Sequence, residues 1–299
     1  MEALSIDRGG CPAASTDAVP SDDVRILRRL RLVEGPTGLG DPDAGTVAAA
    51  IDVETTGFDA EEDGVIELAL RRFRYDADGV VTRIGRLYTW REDPGRPIPA
   101  DVSRLTGLTD QSVAGQRIDT GLATRLLSDA ALVIAHNAPF DLKFVEKRLP
   151  GIGRPDWACS MQDIDWPANG YDGRKLGHLL SQAGWYHDAH SAGADVDAVI
   201  ALLGQRLADG RSAMGHLLEA HAEEAWSVSA VGAHISLKDV LKRRRYRWDP
   251  ERKVWHRRLP DRDRDEERAW LAERIYAADV NPFGNEPQWD RLDRGRRHA

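Results

Sequence analysis

Cysteine is almost missing from this chain: Cys11 and Cys159 are the only two in 299 residues. Two thiols are too few for a disulfide framework and show no paired metal spacing. Long apolar runs are missing as well. None approaches the roughly 18–20 residues that a membrane-spanning helix needs. The first 23 residues have neither a basic n-region nor an apolar h-region, so no secretory signal is expected. Cytoplasmic residence with no membrane partner is the default expectation. Internal repeats and low-complexity tracts are also lacking. What is present is ordinary globular material, 41% hydrophobic and 30% charged, which excludes wholesale disorder and fits about two domains.

The formal net charge of −8 argues against a uniformly basic nucleic-acid coat, but the charge is segregated. Between 236 and 258 stand ten Lys/Arg against three acids, which puts +7 on that window and −15 on the rest. Such asymmetry suits one polyanion-facing patch on an acidic protein.

Residues 1–23 are rich in Gly, Pro, Ala, Ser and Asp and read as a disordered tail. Residues 24–32 fit a strand or a helical turn, and the Gly/Pro density of 35–45 reads as a linker. From 46 the pattern is α/β. Val47, Ala49, Ile51 and Val53 alternate with Ala48, Ala50, Asp52 and Glu54, predicting a strand that ends in two acids. Runs over 65–75 and 80–90, joined by Asp76, Ala77, Asp78 and Gly79, predict a hairpin and hence a three-stranded meander. Helices are predicted over 119–129, 139–149 and 174–183, a strand over 131–135, and a long helix reaching about 208. This predicts an α/β fold, a mixed sheet with helices packed on it. A connecting helix over 212–225 leads to a segment holding five of the nine tryptophans, with a domain boundary at 210–226.

Asp52 and Glu54, two apart on a strand, project from one face, and Ala48 and Ala50 leave room above it. Two buried acids repel each other and lose hydration, so something must compensate them, and a divalent cation does so. A solvated strand end is the plainer alternative. Asp141 and Asp195 each stand at the head of a predicted helix, where the helix dipole alone would favour an acid. His190 precedes Asp195 by five positions. Were both helical they would point about 140° apart. They converge only if His190 sits on a mobile loop, which Gly193 and the polar run before it allow, and a mobile histidine suits a general base.

Asp52-Val-Glu54-Thr55-Thr56-Gly57, then His136-Asn137 with Phe140-Asp141, then His190 and Asp195, resemble the three motifs of the DEDDh-type 3′–5′ exonucleases. That superfamily includes RNase T and the proofreading ε-subunit of bacterial DNA polymerase III. Arg104 to Thr109 resembles its substrate loop, and residues 159–166 a stretch common in its ε-like branch. The resemblance spans residues 46–209 and implies a ribonuclease H-like fold. It implies two Mg²⁺ or Mn²⁺ ions, with Asp52 bridging both, Glu54 and Asp195 on the nucleophile side and Asp141 at the second ion. Hard ions of this kind prefer carboxylate oxygens. His190 would take the proton from water. Thr55, Thr56, Thr106, Gly107, Leu108 and Thr109 would contact the terminal nucleotide, largely through backbone groups, and Asn137 would support the site. Ser191 follows the histidine where many relatives carry Arg, removing a possible phosphate contact. His187 and His190 lack the further ligands of a zinc site. Cys159, without a histidine partner, reads as a core residue.

In the last third, Ser236 is the expected N-cap of a helix over 237–244, followed by a hairpin over 245–257 and an amphipathic helix over 264–277. Tyr246, Trp248, Val254 and His256 would form one face of the hairpin, with Arg245, Arg247, Lys253, Trp255 and Arg257 on the other. Interleaved rings and cations suit single-stranded nucleic acid. The alternative puts the tryptophans, Trp248 among them, in a small core with Arg243–Arg245 outside. Lys242, Arg243, Arg244, Arg245 and Arg247 are the candidate nucleic-acid contacts.

The expected organisation is a tail and linker over 1–45, an exonuclease domain over 46–209 and a small basic, Trp-rich α+β domain over 210–299. The expected function is release of nucleoside monophosphates from DNA 3′ ends, single strands preferred, with a polymerase or repair protein as a possible partner. The rivals are an exoribonuclease trimming RNA and a non-catalytic polymerase scaffold. The intact set of four acids and a histidine weighs against the scaffold.

Overall fold

The computed structural model describes residues 24–153, 155–277, 280, 284–292 and 298; the tail expected over 1–23 lies outside them. They fall into two compact units, one up to Glu219 together with His298, the other from Ala220 onward. No helix among the described residues is long and apolar enough to cross a membrane.

In the first unit the chain runs through β1 Arg28–Arg29, β2 Gly35–Pro36, β3 Thr46–Thr55, β4 Val65–Tyr75 and β5 Val81–Arg91. Three helices follow, α1 Ala100–Thr106, α2 Asp110–Val113 and α3 Thr120–Ser128, then β6 Leu132–Ala135, α4 Ala138–Arg148 and β7 Trp157–Cys159. Helix α5 Leu176–Gln182, strand β8 Trp185–Tyr186, α6 Ala192–Leu203 and α7 Ala213–Ala222 close the sequence. The main sheet has the order β2-β5-β4-β3-β6-β7. The meander β3-β4-β5 is antiparallel, whereas β6 joins β3, and β7 joins β6, in parallel. A mixed sheet flanked by helices is therefore present, as expected.

Its two faces hold separate cores. Ala49, Ile51, Val53, Leu68 and Leu70 point toward α3 and α4, with Leu127, Leu142 and Phe144. Ala48, Ala50 and Ala69 point the other way, toward Val196, Val199, Ile200 and Leu203 of α6. The small-residue face expected to leave room is thus covered: alanines on the strand let α6 lie close to it.

Several expectations change. The segment 35–45 does more than link, because β2 pairs with β5 and the buried Thr37 hydroxyl donates to the Val81 carbonyl at 2.8 Å. Leu30 and Leu32 join the core. Helix α6 ends at Leu203 with Gly204 as C-cap, and Leu207 packs from a turn closed by its amide on the Arg211 carbonyl. Gly193 is no loop residue. It lies in the first turn of α6, where an added Cβ would stand 3.1 Å from Thr89 Oγ1.

The second unit contains β9 Ala225–Ala230, α8 Lys238–Arg243, β10 Arg247–Asp249, β11 Val254–Pro260, α9 Arg264–Arg274 and β12 Gln288–Leu292. Its antiparallel sheet has the order β10-β11-β9-β12. Val228, Tyr246, Trp255, Leu259, Leu271 and Ile275 are among its core residues. Leu237, not Ser236, stands at the N-cap of α8, because a 3₁₀ turn over Ile235–Leu237 comes first. The two-faced hairpin is also corrected. Tyr246 lies outside β10, and the register sets Trp248 opposite Trp255 and Arg247 opposite His256, so Trp248 shares a face with Trp255 and not with Val254 or His256. Trp255 is then the buried indole, and Trp248, opposite it, is 46% exposed.

Candidate active site

Each acid owes its place to a local rule. Asp52 and Glu54 are same-face residues at the end of β3, the central strand between antiparallel β4 and parallel β6. Asp141 sits in the first turn of α4, after Asn137 adopts a left-handed φ of 103°, a conformation that asparagine tolerates better than most residues. Asp195 sits in the first turn of α6. Carboxylate oxygens of Asp52, Glu54 and Asp195 all lie within 4.8 Å of one another. Asp141 is 2% exposed beneath them, and its Oδ1 accepts a hydrogen bond from the Val53 amide at 3.2 Å.

This proximity is electrostatically costly. Burial, followed by the charges of Asp141, Asp195, Glu54 and Glu67, pushes the Asp52 carboxyl well above its ordinary range. Glu54 is raised to about 8 by burial, then by Asp195 and Glu67. Asp141 is also raised to about 8, chiefly by burial, although the Val53 amide opposes the shift. Among the described residues no Lys or Arg ion-pairs with Asp52 or Glu54. Oxygen-only donors without a compensating cation fit a hard divalent ion, and the three clustered residues offer its ligands.

His190 lies on the turn before α6, exposed, with a left-handed φ of 65°. Its backbone amide donates to Asp195 Oδ2 at 2.9 Å, so the loop is tied to the acid while the imidazole faces outward. The ring that meets Asp195 is that of His187, with Nε2 at 2.7 Å from Oδ1. The side chains of Thr55 and Thr56 are engaged locally. Thr55 donates to the Gly57 carbonyl, while Thr56 bonds Asp63 and accepts from Arg96. Thr106 and Thr109 shape the turns around α1 and α2, and Gly107 takes φ 72° at the α1 C-cap. Leu108 is buried with Ile66, Ile98 and Val113, and its amide donates to Thr106. Gly107 and Thr109 remain exposed. Cys159 is buried, with its thiol pushed up to about 11 by that burial and by Asp163, as a core residue should be.

Three further residues lie around the acids, with surroundings that the sequence pattern does not give. Glu67 faces Glu54 across the β3–β4 ladder, and its Oε2 accepts from the Ala192 amide at 3.0 Å. Its hydrophobic surroundings in a strand pattern give one signal, an acid at a position otherwise occupied by Val, Ile and Leu. His136 is held between the Ser160 hydroxyl and the Arg174 carbonyl, both at 2.8 Å. The carbonyl only accepts, so Nε2 carries the proton, and burial lowers the ring's pKa to about 4. Phe58, 91% exposed, stands edge-on to Phe140, the neighbour of Asp141.

In the second unit, Arg244 is occupied by Glu266 and Glu267, whereas Lys242, Arg243, Arg245 and Arg247 form no ion pair among the described residues.

The DNA polymerase III subunit epsilon of Treponema pallidum is 29% identical over 187 residues, covering 58% of this chain and 82% of that protein. The 3′-5′ exonuclease DinG of Bacillus subtilis is 33% identical over 159 residues, 49% of this chain but 16% of its own length. A PolC-type DNA polymerase III of Listeria innocua is 38% identical over 107 residues, 34% of this chain and 7% of its own. A solved structure of Exonuclease I aligns with a TM-score of 0.47 at 19% identity, over 84% of this chain and 64% of that one. Exonuclease X in complex with 5′ overhanging duplex DNA aligns with a TM-score of 0.40 at 19% identity, over 56% and 99%. The family model RNase_T, described as Exonuclease, matches residues 49–203. With more than half of its length matched, this chain belongs to that exonuclease family.

Proposed function

We propose that the protein is a metal-dependent 3′–5′ exonuclease that hydrolyses the terminal phosphodiester of DNA and releases nucleoside monophosphates. The observation that carries this reading is the crowding of Asp52, Glu54 and Asp195, with buried Asp141 acting on Asp52 and, among the described residues, no Lys or Arg paired with Asp52 or Glu54. Asp52, Glu54 and Asp195 would hold divalent ions, with Asp141 completing the set for a pair of Mg²⁺ or Mn²⁺. Such ions supply Lewis-acid activation of water and charge neutralisation at the scissile phosphate.

The chain's own groups do the remaining work. His190, exposed and, among the described residues, anchored through its amide, accepts the proton from the attacking water. Its anchor on Asp195 keeps that proton acceptor near the acids whichever way the ring turns. Gly107 and Thr109 present the exposed part of the substrate turn. Phe58 offers a ring face on which a terminal base can stack. DNA is favoured over RNA because the matched relatives include components of DNA polymerase III.

The test uses single-stranded DNA and RNA of matched sequence, labelled at the 5′ end and incubated with Mg²⁺ or Mn²⁺. A DNA ladder shortening from the 3′ end supports the proposal. A ladder from RNA alone would make the protein an exoribonuclease, and binding without cleavage of either would favour the scaffold.

A further inference from the structure

The basic window of the second unit divides into two populations. On the helix side, Arg244 and Arg257 converge on Glu267, which is 1% exposed and also accepts from the Tyr246 hydroxyl at 3.0 Å. These cations are internal, and their charge is already matched. Lys242, Arg243, Arg245 and Arg247 form no ion pair among the described residues, and all four are exposed or nearly so. Of the nearby acids, Asp249 is committed to its own turn, accepting from the Glu251 and Arg252 amides at 3.0 Å. Four exposed cations close in sequence, without ion-pair partners among the described residues, leave the folded unit with positive charge that an anion would relieve.

An aromatic platform lies on the same edge strand as Arg247. β10 is an edge strand, so among the described residues no further strand shields its outer side. Trp248, at its centre, is 46% exposed, and its ring leans on buried Trp255 with centroids 5.5 Å apart. The Lys242 ammonium stands 6.0 Å from the Trp255 ring centre. Trp248 is therefore an indole braced on the ring that Lys242 approaches, while Arg247, opposite His256, projects from the other face of the same edge strand. A plain polyanion site needs only the charge, whereas an exposed ring of this kind adds a flat apolar surface. Single-stranded nucleic acid presents the matching pair, phosphates for the cations and an unstacked base for the ring.

We propose that the edge formed by α8 and β10 is a single-strand nucleic-acid binding site, with Trp248 as the stacking platform and Lys242, Arg243, Arg245 and Arg247 as the phosphate contacts. Arg244 is left out of it. The site is distinct from the acid cluster and stands whether or not the catalytic reading holds.

The experiment measures binding of a fluorescein-labelled dT20 strand to the full chain by anisotropy, in EDTA. Under those conditions no cleavage occurs and the uncompensated carboxylates repel phosphate. Trp248→Ala should weaken binding about ten-fold, and Trp248→Phe should restore most of it. Replacing Lys242, Arg243, Arg245 and Arg247 together with alanine should reduce the salt slope by about 0.7 for each phosphate no longer neutralised. Circular dichroism and Tm confirm that each variant is folded. If folded variants keep both affinity and salt slope, the proposal is overturned, and the cations serve another partner such as an acidic protein. If the charge variant loses binding but Trp248→Ala does not, and heparin competes as well as dT20, the edge is a plain polyanion patch and the stacking role is wrong.

Discussion

Glu54 and Glu67 face each other directly across the β3–β4 ladder, yet their surroundings are opposite. Glu67 is satisfied: Oε2 takes the Ala192 amide at 3.0 Å and Oε1 lies 3.3 Å from Arg91 Nε. Glu54 has no ion-pair partner among the described residues, and its carboxyl is pushed up to about 8. Like charges opposed on neighbouring strands are destabilising. Glu67 latches the first residue of α6 to the sheet, and Glu54, on the proposed reading, is free to hold a metal ion. Since Asp195 lies three residues after Ala192, the latch sets where that acid meets Asp52.

Replacing Glu67 with alanine should accordingly disturb both stability and turnover. The Ala192 amide would lose its acceptor, at a cost of about 1–3 kcal/mol. Glu67→Gln keeps an acceptor oxygen and should retain more of the Tm and of kcat than Glu67→Ala does. Equal activity in wild type and Glu67→Ala would remove the latch from the account.

The raised carboxyls give stability a definite dependence on pH. Glu54 and Asp141 move from the ordinary carboxylate range to about 8 in the folded chain. Between about pH 4 and 8 the folded state therefore binds more protons than the unfolded state, and stability falls as pH rises through that window. Thermal melts of the metal-free protein should show Tm declining from pH 5 to 8. Glu54→Gln should flatten that decline. Metal requires ionised ligands, so Mn²⁺ should bind more tightly at pH 8 than at pH 6. A metal-free Tm that rises across this range would contradict the assigned environments.

The parts of the fold that follow one-dimensional rules are legible in the residues themselves. Alternation marks β3, β4 and β5, and the motif residues mark Asp52, Glu54, Asp141 and Asp195. Less visible is how the face of Ala48 and Ala50 is used. Small residues read as open space, but packing turns them into the seat of α6. The end of α6 escapes the pattern because Leu207 continues the apolar spacing past Gly204, although it packs from a turn. The roles of Glu67 and His187 depend on partners 125 and 8 residues away, which no local pattern encodes. Trp248 and Trp255 share a face because the turn over 250–253 sets them opposite each other, a register that alternation within each strand does not fix.

The two histidines near Asp195 can be told apart by kinetics. His190→Ala should reduce kcat by roughly 10²–10⁴-fold with little change in KM, as loss of a general base does. His187→Ala removes a hydrogen bond to Asp195 Oδ1 and should lower kcat far less. The reverse ranking would assign proton transfer to His187.

Glu267 should be the keystone of the second unit. Its replacement by alanine would leave Arg244, Arg257 and the Tyr246 hydroxyl without their shared partner. Breaking a buried ionic network from one side costs about 3–5 kcal/mol. Proteolysis and hydrogen exchange should then report early opening between β9 and α9, while the first unit keeps its protection. Uniform loss of protection across both units would show that they do not open separately.

The central claim is that the acid cluster binds divalent metal and that cleavage depends on it. The most direct test measures the Mn²⁺-induced Tm shift and the cleavage of 5′-labelled single-stranded DNA on the same preparations of wild type and Asp52→Asn. Wild type should show a metal-dependent rise in Tm together with a ladder shortening from the 3′ end. Asp52→Asn should stay folded, with a metal-free Tm at least equal to that of wild type, and lose both responses. A folded Asp52→Asn protein that still shortens the strand with Mn²⁺ would contradict the account.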